Sequence, residues 1–420
     1  MSTGKVVEVL FEQALDTFET QDSMLDMVDF FEPDAGTMQN GDNFIHRPVE
    51  QHSPIITGWD LSGLETDIIE ETYPAVLGVP QNDFVQQRAD KMRDMQFWNK
   101  RGKASGRRQA SNLNKSIINA MTVQGSMYYD SAVTSGFDYI AEAQAIMNER
   151  QGFETERCFL LNDRSNLKFA TDLAARQTLQ GLPEKIWTKG QIAQGVAGFD
   201  NVLTASYLNN LAGGASPDTT VTGNQSFAPE GGTVDAVTGV CTNVDYRQAV
   251  IPVAASASYN VGDKVTIGAV KAVGLDDKTP TDQLMTFTIV AKPTGTSITV
   301  YPKPIAADDA ALSNLEKAYA NVDTTISNTD VVARLNTAAS EKTNLFWDKD
   351  AVEVLGGTIP AELMAQFDGK KVVNMPMKNG LNMYMVYDGN ITDMTFRYRL
   401  FTWFGVTIKD PSRVGVCTTS

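Results

Sequence analysis

Histidine is almost absent from this chain of 420 residues: His46 and His52 are the only two. They sit in a polar stretch beside Pro48 and Pro54 with no Ser or Cys nucleophile motif nearby, which excludes a triad built on an imidazole base. The same pair makes a poor metal site. Cysteine is nearly as scarce, and Cys158, Cys241 and Cys417 lie far apart. That spacing gives neither a disulfide framework nor a zinc site and fits a reducing compartment. No segment approaches the roughly 18 consecutive apolar residues of a membrane span, and Met1 to Val9 lacks the basic and apolar regions of a signal peptide. A protein that is soluble and cytoplasmic when made is expected. Net positive charge is missing too. A formal charge of −16 and a pI near 4.6 exclude a protein that coats nucleic acid by neutralising phosphates, and leave room only for weak, local contact with DNA.

The motifs of catalysis are equally thin. Gly102-Lys103-Ala104-Ser105-Gly106 has the look of a phosphate loop but lacks its residue order and follows a helical pattern rather than a strand. Asp276-Asp277 and Asp308-Asp309 are adjacent acids beside Lys278 and Pro304, a pattern of solvated turns more than of catalytic pairs. No catalytic, cofactor-binding or metal-binding residue is assigned, and no enzyme is expected.

What is present is a chain with 42% hydrophobic residues, enough for two or three cores at about 100 to 200 residues per domain. Residues 5 to 19 place Val7, Leu10, Phe11, Leu15 and Phe18 at helical spacing, an arm with one apolar face. From Val6 to Asp34 there are nine acids (Glu8, Glu12, Asp16, Glu19, Asp22, Asp26, Asp29, Glu32 and Asp34) and no base. Such a block is either a solvated face or a dock for a basic partner. Residues 40 to 80 carry turn residues around short extended runs, including Asp67-Ile68-Ile69 and Thr72 to Val79, which reads as a long hairpin with little core of its own. Such a loop packs on something else.

Residues 83 to 125 form the longest helical pattern, with Asp83 as N-cap and a stripe through Val85, Ala89, Met92, Met95, Leu113, Ile117, Ala120 and Met121. Gly102 and Gly106 soften its middle. Each costs about 1 kcal/mol relative to Ala, so the pair suggests a hinge. Between Arg88 and Lys115 nine bases face two acids, a local charge of 9 − 2 = +7. In an acidic chain this stretch, with Arg88, Lys91, Arg93, Arg107 and Arg108, is better suited to carboxylates of adjacent subunits than to DNA. Beyond it, Phe137, Ile140, Ala141, Gln144 and Met147 give another helix and Cys158-Phe159-Leu160-Leu161 a buried strand.

Near Leu211-Ala212-Gly213-Gly214 the character changes. As far as about Asn336, Val, Thr and Gly dominate, with strand alternation in Val265-Thr266-Ile267, Met285 to Ile289 and Ser297 to Tyr301. Short strands without helix partners remove their edges by closing into a small barrel. Mixed α/β character returns after Thr343, so this barrel is an insertion that splits one domain into two sequence halves.

Several stretches taken in order carry a family likeness: Pro48-Val49-Glu50-Gln51, Gly58-Trp59-Asp60-Leu61, Asn82-Asp83-Phe84, Arg88-Ala89-Asp90, Ala141-Glu142-Ala143 with Ile146-Met147, and Gln194 to Asp200. Gly262-Asp263-Lys264, Pro302-Lys303-Pro304, Asp308-Asp309, Ala318 to Val322 and Thr343 to Trp347 continue the series. Together they resemble the major coat proteins of short-tailed Salmonella-type bacteriophages, over residues 48 to 361. The resemblance implies an α+β tailed-phage major capsid protein fold with an inserted antiparallel β-barrel domain. Its parts are an N-terminal arm (1–40), an extended E-loop (41–82), a spine helix and the start of the peripheral domain (83–135), and a first peripheral/axial part (136–216). The inserted barrel (217–336) and the second axial/peripheral part (337–420) complete it.

In function the resemblance implies a subunit that self-assembles into hexamers and pentamers of an icosahedral shell enclosing double-stranded DNA. The shell forms first as a scaffold-assisted precursor in the host bacterial cytoplasm and expands when DNA is packaged. Implied partners are the protein itself, a scaffolding protein, a portal protein and DNA by weak non-specific contact, with no membrane. Scaffold binding in the family involves the arm, here Glu12, Asp16, Glu19 and Asp22. The family's insert carries a charged loop across two-fold axes; here Pro229 to Tyr246 holds only Glu230, Asp235 and Asp245 among small residues, leaving Asp235 and Asp245 as candidate contacts. Gly102 and Gly106 are the candidate hinge for expansion. Two other readings stand beside this one: a soluble binding or decoration module, such as an adhesin or tail component presenting the barrel's loops, and, more distantly, a carbohydrate-active enzyme using the insert's acids.

Overall fold

The computed structural model of the chain describes residues 3–21, 24–33, 44–63, 65–88, 90, 94–131, 136–151, 156–168, 195–206, 208–215, 217, 219–231, 245–337, 340–359, 371–377, 380–390 and 392–419. Helix α1 (Thr3–Gln21) opens the chain, followed by β1 (Asp29–Phe31), β2 (Phe44–Pro48), β3 (Thr72–Val76), β4 (Gln81–Arg88) and the long helix α2 (Met95–Gln124). Next come β5 (Met127–Ser131), α3 (Gly136–Glu149), β6 (Arg157–Asn162), β7 (Asn201–Ala205), β8 (Asn210–Ala212) and β9 (Thr219–Thr220). Strands β10 (Ala249–Pro252), β11 (Lys264–Val273), β12 (Pro280–Ala291) and β13 (Ser297–Tyr301) precede the short α4 (Asn314–Lys317) and β14 (Val331–Arg334). The chain ends with β15 (Ser340–Asp348), β16 (Val352–Gly356), β17 (Lys371–Pro376), β18 (Asn382–Asn390), β19 (Thr395–Thr402), β20 (Phe404–Ile408) and β21 (Val414–Thr419). Its fold divides into two compact units, one of Met1–Ile45, Ala75–Ile117 and Glu353–Thr407, the other of His46–Pro74, Ile118–Val352 and Ile408–Ser420.

In the first unit β17, β18, β19 and β4 form a four-stranded antiparallel sheet. Here the structure corrects the sequence reading. The long helix begins at Met95, not at Asp83, and Gln81–Arg88 is a strand paired along its whole length with β19, from Gln81 opposite Thr402 to Arg88 opposite Thr395. Its residues alternate between half-buried and exposed. Val85 and its neighbours suit either period, and the unbroken ladder to a distant segment outweighs a local helical preference. Asp94 caps the helix instead, its Oδ1 accepting from the backbone of Gln96 at 2.9 Å and Phe97 at 3.3 Å. Asp83 points at that helix from the sheet: its carboxylate accepts two hydrogen bonds from Arg101 at 2.7 and 2.8 Å and one from Ser105 at 2.6 Å.

The glycine pair has a clear structural role. Helix α2 runs unbroken through Gly102 and Gly106. Helix α1 lays Leu10, Phe11, Ala14 and Phe18 inward and its backbone approaches both glycines. A Cβ on Gly102 would stand 2.6 Å from the Leu10 carbonyl oxygen, and one on Gly106 would collide with the carbonyl of Ala14. Two glycines one turn apart thus make the groove that seats the arm.

The second unit is built on a mixed sheet in the order β5, β21, β15, β6, β7, with β8 also paired to β15. Tyr129, Tyr139, Phe159, Phe199 and Phe346 form the aromatic centre of the core beneath α3. Cys158 and Cys417 are buried free thiols, pushed up to about 12 by burial, whereas Cys241 lies outside the described residues. In the segment read as an insertion the antiparallel order is β10, β13, β12, β11, β14, β9. The ends meet: Val221 bridges Val253, Thr222 N donates to the Pro252 carbonyl at 2.9 Å and Ala254 N to that of Thr220 at 3.0 Å. The sheet is therefore a closed six-stranded barrel, filled by Ile251, Tyr259, Val265, Phe287, Ile289, Ile298, Val300 and Val332. Lys264 fixes the barrel to the end of α2 within this unit. Its buried ammonium donates to the carbonyls of Gly125 at 2.5 Å and Val123 at 3.4 Å and to Thr288 Oγ1 at 2.7 Å, satisfying carbonyls that a helix C-terminus leaves open.

Two outcomes test these packings. At an ordinary exposed helix position Gly→Ala stabilises by up to about 1 kcal/mol, but Gly106→Ala is expected to destabilise by about 1–3 kcal/mol because its methyl displaces α1; a urea midpoint that rises instead contradicts the seat. Burial brings the Lys264 ammonium down from 10.5 to about 7, with Asp263 opposing. Between those values the unfolded chain holds the extra proton, so stability rises with pH across that window. Lys264→Met is expected to flatten the rise, read from denaturation midpoints at about pH 7 and about pH 9.

Candidate functional site

Between the end of β2 at Pro48 and the start of β3 at Thr72 the described residues form no regular strand, and β2 and β3 pair below them as a two-stranded sheet. The segment holds its apolar side chains in solvent: Trp59 is fully exposed, and Ile55, Leu61 and Ile68 are 93%, 47% and 61% exposed. Its charge is of one sign. From Gln51 to Pro80 there is no Lys or Arg, whereas Asp60, Glu65, Asp67, Glu70 and Glu71 are present. Near the tip Asp60 Oδ1 accepts from Ser62 Oγ at 2.6 Å and Ser62 N at 3.0 Å, a local turn that holds the Asp60 carboxyl below its ordinary value.

The root of this hairpin is fixed. Val49 N donates to the Glu71 carbonyl at 3.0 Å. Tyr319 OH donates to the Ile69 carbonyl at 3.2 Å, and the Tyr319 ring meets His52 edge-on at 5.4 Å between centroids. Ile69 packs on the small cluster of Ile305, Leu312, Tyr319 and Ala320. Arg247, buried, has its guanidinium carbon 4.9 Å from the ring centre of Tyr73 and 5.1 Å from that of Tyr301. It also donates to the carbonyls of Ile408 and Lys409 and pairs with Asp245 at 2.8 Å. Glu71 is buried at the same place. Burial raises its carboxyl, against the pull of Arg247 and Lys303. Around these groups is a cavity of about 110 Å³, lined by His52, Glu71, Arg247, Lys303 and Asp410 among others.

A different surface lies within the first unit. On the sheet face away from α2, Phe84, Val386, Phe401 and Trp403 with Pro80 and Ile359 line a groove of about 490 Å³. Phe84 is 65% exposed there. Phe401 stacks on Tyr384 at 5.2 Å, and Trp403 Nε1 donates to the Gly78 carbonyl at 2.7 Å, which fixes the groove's floor. Arg397, Arg399 and Asp388 form its rim. Arg399 is oriented by a hydrogen bond to Asn82 Oδ1 at 2.6 Å and by its stacking over Phe401. An apolar floor under a cationic rim is suited to an apolar segment bearing acids.

The residues singled out from sequence are distributed over both units. Glu12 and Asp16 stand exposed on the outer face of α1 and Glu19 is half-buried there. Arg107 and Arg108 are exposed on α2 without an acidic partner among the described residues, and Arg88 is exposed at the end of β4. Arg101, counted in the same basic stretch, is consumed internally by Asp83. Asp245 is likewise engaged, held by Arg247 rather than offered outward. Asp22, Lys91, Arg93 and Asp235 lie outside the described residues. Of the adjacent acids, Asp277 closes a turn onto Thr279 and Asp309 accepts from Ser226 Oγ and Ala311 N. Among the described residues no group of three His, Cys, Asp or Glu is placed to hold a metal ion. In the sequence Tyr319 stands out only within the family series and Tyr73 only within an extended run, and Arg247 not at all; the one local signal for Arg247 is its spacing from Asp245, two apart in a segment poor in charge.

Comparison with known proteins gives one match of family rank: the family described as P22 coat protein, gene protein 5, matches residues 1–419. Among solved structures, a chain described as Mycobacterium phage Che8 is 10% identical with a TM-score of 0.44, covering 94% of this chain and 90% of its own. The head structure of Helicobacter pylori bacteriophage KHP40 is 8% identical at 0.44, covering 96% and 90%. The CUS-3 coat protein I-domain is 32% identical, covering 30% of this chain and all of its own, with a TM-score of 0.23.

Proposed function

The chain belongs to the P22 coat protein family and is a major capsid protein of the tailed-phage kind, and we propose that its work is done by surfaces, without catalysis, as hexamers and pentamers of an icosahedral shell around double-stranded DNA. The observation that carries this reading is the hairpin of residues 49–71, which projects Ile55, Trp59 and Ile68 into solvent from a fixed root. Exposed apolar side chains on a thin segment belong against another surface. We place that surface on a neighbouring copy, in the groove lined by Phe84, Phe401 and Trp403. Its arginine rim complements the acids Asp60, Glu65 and Asp67 of the hairpin.

The remaining steps follow from charge and geometry. The exposed Glu12 and Asp16 on α1, with Glu19 and Asp22, are the proposed dock for a basic scaffolding protein, which guides a precursor shell in the host cytoplasm. Arg88, Arg107 and Arg108, with Lys91 and Arg93, are proposed to meet carboxylates of adjacent subunits, and Asp235 to lie in a contact between capsomers. Asp245, already paired, is left out of that contact. A net charge of −16 keeps contact with packaged DNA weak. A portal protein is a further proposed partner of the shell. For expansion we place the hinge at Gly102 and Gly106, where bending α2 must also disturb the seat of α1.

Assembly measured by sedimentation, with the scaffolding protein co-expressed, tests the hairpin. Trp59→Ala is expected to raise the concentration needed for shells by about tenfold or more, the effect of losing a central aromatic anchor, while the unfolding midpoint of the free subunit stays put. Arg399→Glu is expected to weaken assembly more at low salt than at high. Normal shells from Trp59→Ala contradict this docking.

A further inference from the structure

We propose that the closed barrel is the positioning element of the assembly hairpin: it grips the hairpin's root and sets the direction in which the tip points. This rests on the reading of the hairpin as an assembly surface and adds the device that aims it.

Three contacts converge on the root from the segment that carries the barrel. Tyr319 holds the Ile69 carbonyl with its hydroxyl and His52 with its ring edge, so one side chain ties the outgoing and returning strands together. Arg247 lies between Tyr301, at the end of β13, and Tyr73, in the returning strand β3. Gly231 comes so close to Glu70 that any Cβ there would collide with its carbonyl oxygen. Glu71 is buried in the same region, where the charges of Arg247 and Lys303 oppose the rise that burial imposes on its carboxyl, and Lys303 reaches back to Glu230 at 3.6 Å. The outgoing strand is tied once more, by Arg413 to Glu50 at 3.1 Å.

Above the root the situation reverses. Ile55, Trp59 and Ile68 are exposed, and beneath the hairpin lies an open cleft between residues 52–57 with Gly63, Glu65 and Thr66 on one side and Leu275–Lys278 with Lys317 on the other. A segment fixed at one end and free beyond it behaves as a lever. An extended strand spans up to about 3.3–3.6 Å per residue, so a small rotation at His52 and Ile69 displaces Trp59 by many times as much. Docking of a rigid patch tolerates little such displacement, because pre-ordering a loop removes entropy that association otherwise costs. The barrel, whose closure leaves no edges to pair elsewhere, supplies a rigid base for this lever.

The full chain tests this with two spin labels, one at Thr57→Cys near the tip and one at Asp282→Cys on the barrel, in a Cys241→Ser background; Cys158 and Cys417 are buried. The label-to-label distance distribution is expected to be narrow in the parent. It should broaden about twofold or more when the root is released by His52→Ala with Tyr319→Ala, or by Gly231→Val, which pushes Glu70 away without touching the barrel interior. Both variants should also give fewer closed shells than the parent at equal subunit concentration. A distribution that stays narrow in both, or normal shell yield despite broadening, overturns the proposal. The docking partner of the tip is tested separately by Trp59→Ala, which leaves the root intact, so failure of that reading does not alter the label distances.

Discussion

A thin two-stranded hairpin has no inside, and every apolar side chain on it must be buried by something else. In this chain that constraint organises the second unit. The hairpin's root is held by aromatic and charged groups from the barrel segment, and its tip keeps Trp59 and Ile55 in water. A root so heavily tied and a tip so bare make sense together only if the tip has a partner to reach. A coat protein is surrounded by copies of itself, and the partner proposed for the tip is such a copy.

Buried charge marks the other joints. Lys264 donates into the last carbonyls of α2 from the barrel wall, and Arg334 pairs with Asp263 beside it at 2.7 Å. Arg101 and Ser105 meet Asp83 across the sheet and helix of the first unit. Removing one partner of such a pair costs several kcal/mol, about 3–5 when a charge is left buried, whereas surface pairs such as Lys349 with Glu156 contribute far less. The buried pairs therefore set geometry, and the exposed bases of α2 are the ones proposed for contacts between subunits.

The barrel was legible in the sequence because its strands alternate with period two and end in turn residues: Met285 to Ile289 and Ser297 to Tyr301 lie within β12 and β13 as read. The amphipathic arm was legible for the same reason at helical period. The start of the long helix was misread because Asp83 is as good a cap as Asp94, and only pairing with β19, some three hundred residues away, makes Gln81–Arg88 a strand. Gly102 and Gly106 drew attention as helix breakers, but their seat for Leu10 and Ala14 depends on a helix nearly a hundred residues upstream, which no local pattern encodes. The hairpin was visible as a run of turn residues. Its clamp was not, because Tyr319 and Arg247 are ordinary residues until the fold brings them to Ile69 and Tyr73.

The subunit is proposed to carry in its own surfaces the geometry of a closed shell. Electron microscopy of the purified chain with its scaffolding protein at micromolar concentration, with sedimentation recorded on the same sample, tests it most directly. Closed shells built of hexamers and pentamers, with the hairpin of one copy lying across the groove of the next, are the expected result. Folded monomers that stay monomeric across the whole concentration range, scaffold included, would contradict it.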